Sequence, residues 1–340
     1  MTKDLEAWLA LTREQPIEPN LPICDPHHHM FGRTGEYHER PDELYLPEDL
    51  MSDIDGNNVV QTVFVECRTM YRKGSPEAVQ PVGEMEFVRK IADRSDAGEF
   101  GKTRIAAGIM GYADLTLGDK AAPVIEDLMA TAGNHFRGLR HVPVGKNHLM
   151  DRECYSNTRF RQGFALLKKY NLVFDSWQHF YMLKELASLA RDFPDVPIIV
   201  GHTAGLSFTG EYAGKRQQVT AEWKEGITEL SACPSVVMKL GGMGMPRAGF
   251  DWANREKPPG STEVARGLDI YFTPCVELFG VKRCMFESNF PVDRLAYPYT
   301  VMWNAFKLFA KNYTKSEKAA LFHDTAARVY RLGSKQVRRN

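Results

Sequence analysis

Five consecutive residues, Asp25-Pro26-His27-His28-His29, directly follow the short apolar run Leu21-Pro22-Ile23-Cys24. If that run is a buried strand, side chains alternate along it, and His27 and His29 point the same way. Two imidazoles on one side of a strand end, two residues apart, can grip one divalent cation. Taken alone, the same spacing also fits a solvated histidine turn. Asp25 reads as a strand-end carboxylate, and His28, facing the other way, as structural. His179 and His202 each come just after an apolar run, where a metal-ligating or proton-transferring ring would stand. A satisfied core histidine is the plain alternative for each. Arg140 with His141 can bind a carboxylate, because a guanidinium fork matches its geometry. Glu66 is a candidate ligand or base and Arg68 a candidate anion binder; either could instead form a salt bridge at a rim. Trp177, Tyr71 and Phe290 are candidate pocket walls.

These residues need elements to position them. β-Branched and apolar runs predict strands at 23–25, 59–67, 105–110, 136–141, 172–175, 196–200, 236–240 and 283–288. Helical spacing predicts helices at 4–13, 81–97, 121–132, 160–169, 181–191, 219–232, 264–278, 301–311 and 315–332. Thr314 with Glu317 forms a capping box before the last of these. The alternation predicts an α/β chain: a (β/α)₈ TIM barrel with an N-terminal helix and extra C-terminal helices, one domain over 1–340. A doubly wound open sheet is the competing architecture. No Gly-x-Gly-x-x-Gly turn and no phosphate-cradling loop ending in Lys-Ser/Thr supports nucleotide binding. A barrel builds its active site at the C-terminal ends of its strands. There the sequence puts His27, His29, Glu66, His141, His179, His202 and the turn from Asn289 to Asp293.

Composition narrows the function classes. Lys plus Arg and Asp plus Glu number 43 each, which argues against a general attraction to nucleic acid or anionic membrane. No apolar run is long enough to span a bilayer. The start, Met1-Thr2-Lys3-Asp4-Leu5-Glu6, is polar and acidic, unlike a signal peptide. Six scattered cysteines without Cys-x-x-Cys spacing predict buried free thiols in a reducing compartment. The expectation is a soluble cytoplasmic enzyme acting on a small molecule, with terminal additions that leave room for a homo-oligomer.

Taken together, these residues resemble the amidohydrolase superfamily. Within it they are similar to the amidohydrolase-related branch, which includes sugar-acid lactonases, pyrone-dicarboxylate lactonases and sulfomuconolactone hydrolases. The resemblance is carried by Asp25-Pro26-His27-His28-His29, Phe136-Arg137-Gly138-Leu139-Arg140-His141, Gly201-His202-Thr203-Ala204-Gly205 and Met285-Phe286-Glu287-Ser288-Asn289-Phe290-Pro291-Val292. It implies a barrel with one divalent metal, often zinc, although some members of the branch work without metal. It also implies that His27, His29 and His179, with His202 beside them, surround the metal and the reacting carbonyl. Strand eight departs from the pattern, because relatives read Gly-Ser-Asp-Trp-Pro where this chain has Glu287-Ser288-Asn289-Phe290-Pro291. The Asn289 amide is not basic near neutral pH. Asp293, Glu287 or Glu66 is left to supply the general base.

The expected reaction is hydrolysis of a lactone or related cyclic ester bearing a carboxylate. A metal on His27, His29 and His179 would polarise the carbonyl, and His202 would stabilise the oxyanion. Asp293 or Glu66 would take the proton of water. Arg140 and Arg68 would hold the acid group, with His141, Tyr71 and Trp177 around it. One rival is non-oxidative decarboxylation or hydration of an aromatic or unsaturated acid on the same barrel. The other is a non-catalytic barrel that binds a small acid, which would be stabilised by ligand without forming product.

Overall fold

Eight apolar runs form eight parallel strands: β1 Ile23–His28, β2 Val59–Val65, β3 Arg104–Gly111, β4 Phe136–His141, β5 Val173–Ser176, β6 Ile198–Val200, β7 Val236–Leu240 and β8 Cys284–Phe286. The computed structural model describes residues 4–32, 44–143 and 151–333. Each strand pairs in parallel with the next, in the order β1 to β8. The ring nearly closes just past β8, where Asn289 N–H donates to the His27 carbonyl at 2.9 Å and His29 N–H to the Phe290 carbonyl at 2.7 Å. This is the (β/α)₈ barrel that the alternation predicts.

Helices fill the crossovers because each carries one apolar stripe to lay on the strands. In Leu183–Asp192, for example, Leu183, Leu186, Ala187, Leu189 and Ala190 are the buried face. The N-terminal helix is shorter than its spacing suggests, Leu5–Leu9, and is anchored by Trp8, whose ring N–H donates to the Arg255 carbonyl at 2.9 Å. A helix at Pro47–Asp53 has too little apolar periodicity to be read from the sequence. The expected long C-terminal helix begins on its Thr314–Glu317 capping box but is interrupted by a π-turn at Ala320–Asp324. The segments 31–46 and 144–157 lie partly outside the described residues. All six cysteines are buried free thiols. Among the described residues no helix is long and apolar enough to cross a membrane.

The barrel interior is layered. Cys24, Val63, Val173, Ile199, Val237 and Met285 cluster with Ala326, Val329, Tyr330 and Leu332, so the C-terminal helical segment closes one end of the barrel. Side chains two residues further along a strand project from the same face. From Val173, Val237 and Met285 that step reaches Asp175, Lys239 and Glu287, all buried. An apolar floor thus carries a charged layer immediately beneath the strand ends.

Candidate active site

The centre of the site is the end of β1. Asp25 accepts hydrogen bonds from Ser288 N–H at 3.0 Å and from the Tyr299 hydroxyl at 3.0 Å, tying β1 to β8 and to the outer helix Tyr299–Phe309. His28 faces outward to Thr62 Oγ1 at 2.9 Å, while His27 and His29 bring their Nε2 atoms within 3.3 Å of each other. His29 Nδ1 lies 2.8 Å from the Val65 carbonyl. A carbonyl only accepts, so that nitrogen carries the proton and His29 Nε2 is a lone pair.

Glu287 lies between two of the rings. Its Oε2 is 2.7 Å from His27 Nδ1, and its Oε1 is 3.0 Å from His202 Nδ1 and accepts the His202 backbone N–H at 2.7 Å. Burial pushes the Glu287 carboxyl up, but the neighbouring His202 and His27 outweigh this and hold it well below the usual carboxylate range. Burial is also the main reason that His27, His29 and His202 all titrate below an ordinary histidine. The site at rest is therefore one carboxylate among neutral imidazoles. Lys239 completes it, with its Nζ 2.7 Å from Asp175 Oδ2 and 3.8 Å from Glu287 Oε2.

The backbone bends sharply to present His202. His202, Thr203 and Ala204 have φ of 54°, 51° and 59°, a left-handed run that costs on the order of 1–2 kcal/mol per non-glycine residue. Thr203 Oγ1 to the Gly241 carbonyl and Trp223 Nε1 to the Thr203 carbonyl hold the turn. Gly241 and Gly242 make room for it: a Cβ on Gly241 would lie 2.6 Å from Glu287 Cγ, and one on Gly242 2.3 Å from His202 Nδ1.

The other expected site residues fall into three groups. Arg140 is committed to Glu66, Nε to Oε1 at 2.8 Å and a second nitrogen to the Glu66 carbonyl at 2.6 Å. Both are buried, so Glu66→Ala removes the buried carboxylate opposite Arg140 and should cost about 3–5 kcal/mol in urea unfolding. Glu66 thus stands as a salt-bridge partner at the rim and not as a free base. His141, the next residue on β4, faces the opposite side and is enclosed by Tyr112, Phe160 and Cys154. It does not stand with Arg140, because alternation along the strand separates neighbours. Arg68 lies over the Tyr112 ring at 5.9 Å, and the buried Tyr71 hydroxyl has no hydrogen-bond partner among the described residues.

His179 lies three residues past the end of β5 and packs against Trp177 and Tyr181, beside Arg247 and Arg152. Among the described residues, one set of three His, Cys, Asp or Glu side chains has ligand atoms within 4.8 Å of one another: His27, His202 and Glu287. The expected trio of His27, His29 and His179 is not brought together at that distance. Arg247 was not singled out from the sequence, since it sits in the loop after β7. Its guanidinium lies 5.1 Å from the centre of the Trp177 ring, and burial lowers its pKa to about 10.

Asn289, also left-handed at φ 55°, donates from Nδ2 to Asp293 Oδ1 at 2.7 Å. Asp293 Oδ2 accepts from Gly244 N–H at 2.8 Å and from the Tyr297 hydroxyl at 3.1 Å. Burial pushes this carboxyl up to about 7 against those three donors. Above that pH it is ionised and holds all three; below it the added proton removes one acceptor site. Activity should therefore rise with pH through about 7, and pH profiles of kcat/KM should lose this limb in Asp293→Asn.

Comparison with known proteins bears on the family and the fold. A family model described as Amidohydrolase matches residues 24–332. An uncharacterised protein of Sinorhizobium fredii, y4mH, is 30% identical over 335 residues, covering 92% of this chain and 99% of that protein. An L-fucono-1,5-lactonase of Burkholderia multivorans is 27% identical over 240 residues, covering 68% of this chain and 73% of the lactonase. A crystal structure of a Burkholderia multivorans amidohydrolase with bound zinc superposes with a TM-score of 0.71 at 22% identity, covering 92% of this chain and 99% of the other.

Proposed function

Because the chain belongs to the amidohydrolase family and is a hydrolase, we propose that it opens the ring of a sugar-acid lactone or similar cyclic ester with the help of one divalent cation. The observation that carries this is the facing pair of ring nitrogens on His27 and His29. Zinc–imidazole bonds of about 2.0–2.1 Å at tetrahedral angles space ligand atoms about 3.3 Å apart. The two Nε2 atoms are 3.3 Å apart, and the His29 ring is already anchored through Nδ1. These residues fit a metal, and the zinc-bound Burkholderia relative and the lactonase names of others support the reading. A divalent cation on His27 and His29 would supply a Lewis acid for the ester carbonyl.

The chain's own residues do the rest. His202 stands beside the pair, its ring centre 4.7 Å from that of His27, with Glu287 at its Nδ1. A proton kept on Nδ1 by the carboxylate leaves His202 Nε2 as the base that takes the proton of an attacking water. The new C–O bond forms at the carbonyl carbon and the ring C–O bond breaks. His202 then returns the proton to the departing ring oxygen, leaving the open hydroxy acid. Asp293 keeps Asn289 and the Gly244 loop in place. Arg247, on the Trp177 ring beside His179, is placed to attract the carboxylate that ring opening creates.

The test is a panel of sugar-acid lactones, including L-fucono-1,5-lactone, beside aromatic carboxylic acids. Acid release from a lactone with kcat/KM near 10⁴ M⁻¹s⁻¹ or above, a level usual for enzymes, is expected. Carbon dioxide release from the aromatic acids without any lactone opening would overturn the proposal.

A further inference from the structure

Lys239 is a cation built into the wall of the site, and the reaction above does not use it. It lies on β7 with no exposed surface, held by Asp175 Oδ2 at 2.7 Å. The Tyr330 hydroxyl, coming from the C-terminal segment, donates to the same oxygen at 2.8 Å. The ammonium also lies 3.3 Å from His27 Nδ1 and 3.8 Å from Glu287 Oε2. His27 Nδ1 therefore has two neighbours with opposite demands. The Glu287 carboxylate at 2.7 Å favours a proton on it, and the Lys239 ammonium favours a lone pair.

The two outcomes define two arrangements of a neutral ring that carries one proton in both. With the lone pair on Nδ1, the donors run in one direction. Lys239 donates to His27 Nδ1, His27 Nε2–H donates to His29 Nε2, and His29 Nδ1–H donates to the Val65 carbonyl. The His27 proton then fills the gap between the two Nε2 atoms. With the proton on Nδ1, His27 donates to Glu287, and both Nε2 lone pairs face the gap. Only the second arrangement can hold a cation on both rings.

We infer that Lys239 is a positioning residue that keeps His27 in the Nε2–H form in the metal-free protein, closing the histidine pair until a divalent cation displaces that proton to the Glu287 side. The inference rests on the reading of His27 and His29 as a cation-holding pair. It makes Lys239 a governor of how tightly the site retains metal, acting through His27. Its carboxylate partner Asp175 allows the lysine to be removed without changing the net charge of the layer.

The experiment uses the full chain stripped of metal by chelation, as wild type, Lys239→Met and Lys239→Met/Asp175→Asn. Long-range ¹H–¹⁵N spectra of the imidazoles, with His27 assigned from His27→Gln, report which nitrogen carries the proton. Zn²⁺ alone is then titrated calorimetrically. The expected result is an Nε2–H His27 in the wild type and an Nδ1–H His27 in both variants. Zn²⁺ binding should be at least about tenfold tighter in both variants, the equivalent of one charge-assisted hydrogen bond. If the charge-balanced double variant binds Zn²⁺ like the wild type and keeps the Nε2–H form, the inference is overturned. A wild-type His27 already protonated on Nδ1 also overturns it. A tautomer that switches as expected in proteins that bind no Zn²⁺ upholds the role of Lys239 and removes the cation-site reading instead.

Discussion

Replacing His27 and His29 together with alanine should lower kcat/KM on a lactone by about 10³- to 10⁵-fold, the equivalent of some 4–7 kcal/mol of lost transition-state stabilisation. The size follows from what the pair does. If the ester carbonyl is polarised from a cation held by these two nitrogens, the buried cations Lys239 and Arg140 do not replace it, because Lys239 is held by Asp175 and Arg140 by Glu66. The fold should survive. Both histidines lie at the end of β1, above the apolar layer, and the backbone bonds that join β1 to the β8 turn come from main-chain atoms. Far-ultraviolet circular dichroism and a urea titration alongside the assay separate lost chemistry from lost structure. Near-normal turnover in the folded double variant would remove the site from the reaction.

The second large effect belongs to Glu287. Glu287→Gln keeps the shape and removes the charge. In the cation-holding arrangement the carboxylate offers an acceptor oxygen to each of two rings, to His27 at 2.7 Å and to His202 at 3.0 Å. A carboxamide offers one oxygen and one NH₂, so one imidazole must turn its lone pair to Nδ1 and its proton toward the reacting atoms. If His202 turns, the base is lost. If His27 turns, a ligand is lost. Either way kcat should fall by about 10²- to 10⁴-fold with KM changed much less, the range seen when the carboxylate that orients a catalytic or ligating histidine is neutralised. Steady-state kinetics of the variant check this. A loss confined to KM would place Glu287 in substrate binding and not in orienting the rings.

Much of the architecture was open to reading because it depends on local pattern. Runs such as Val59-Val60-Gln61-Thr62-Val63-Phe64-Val65 read as strands, and the strand expected at 23–25 continues through Asp25-Pro26-His27-His28. Period-two alternation put His27 and His29 on one side, and the same rule separates Arg140 from His141, which the pairing of those two as one carboxylate clamp overlooked. The charged layer was harder. Strands of a parallel barrel are buried on both faces, so an apolar run does not reveal which residues face the axis. A lysine inside Val236-Val237-Met238-Lys239-Leu240 and an aspartate closing Val173-Phe174-Asp175 were nevertheless signals that a buried charge needs a buried partner. His179 and Arg247 are placed by loops rather than by strands. Their neighbours come from different crossovers, and no spacing within the chain encodes that approach. Glu287 stands two residues before Asn289, the position where relatives carry their aspartate. Its carboxylate faces His27 and His202.

The central claim is that His27 and His29 hold a divalent cation for lactone opening, and elemental mass spectrometry of the purified protein beside His27→Ala tests it most directly. The account predicts close to one zinc or similar divalent ion per chain in the wild type, its loss in the variant, and loss of lactone opening on chelation that returns with added Zn²⁺. Metal-free protein whose lactone activity is unchanged by chelator would contradict it, and would leave the imidazoles and Arg247 to polarise the carbonyl unaided.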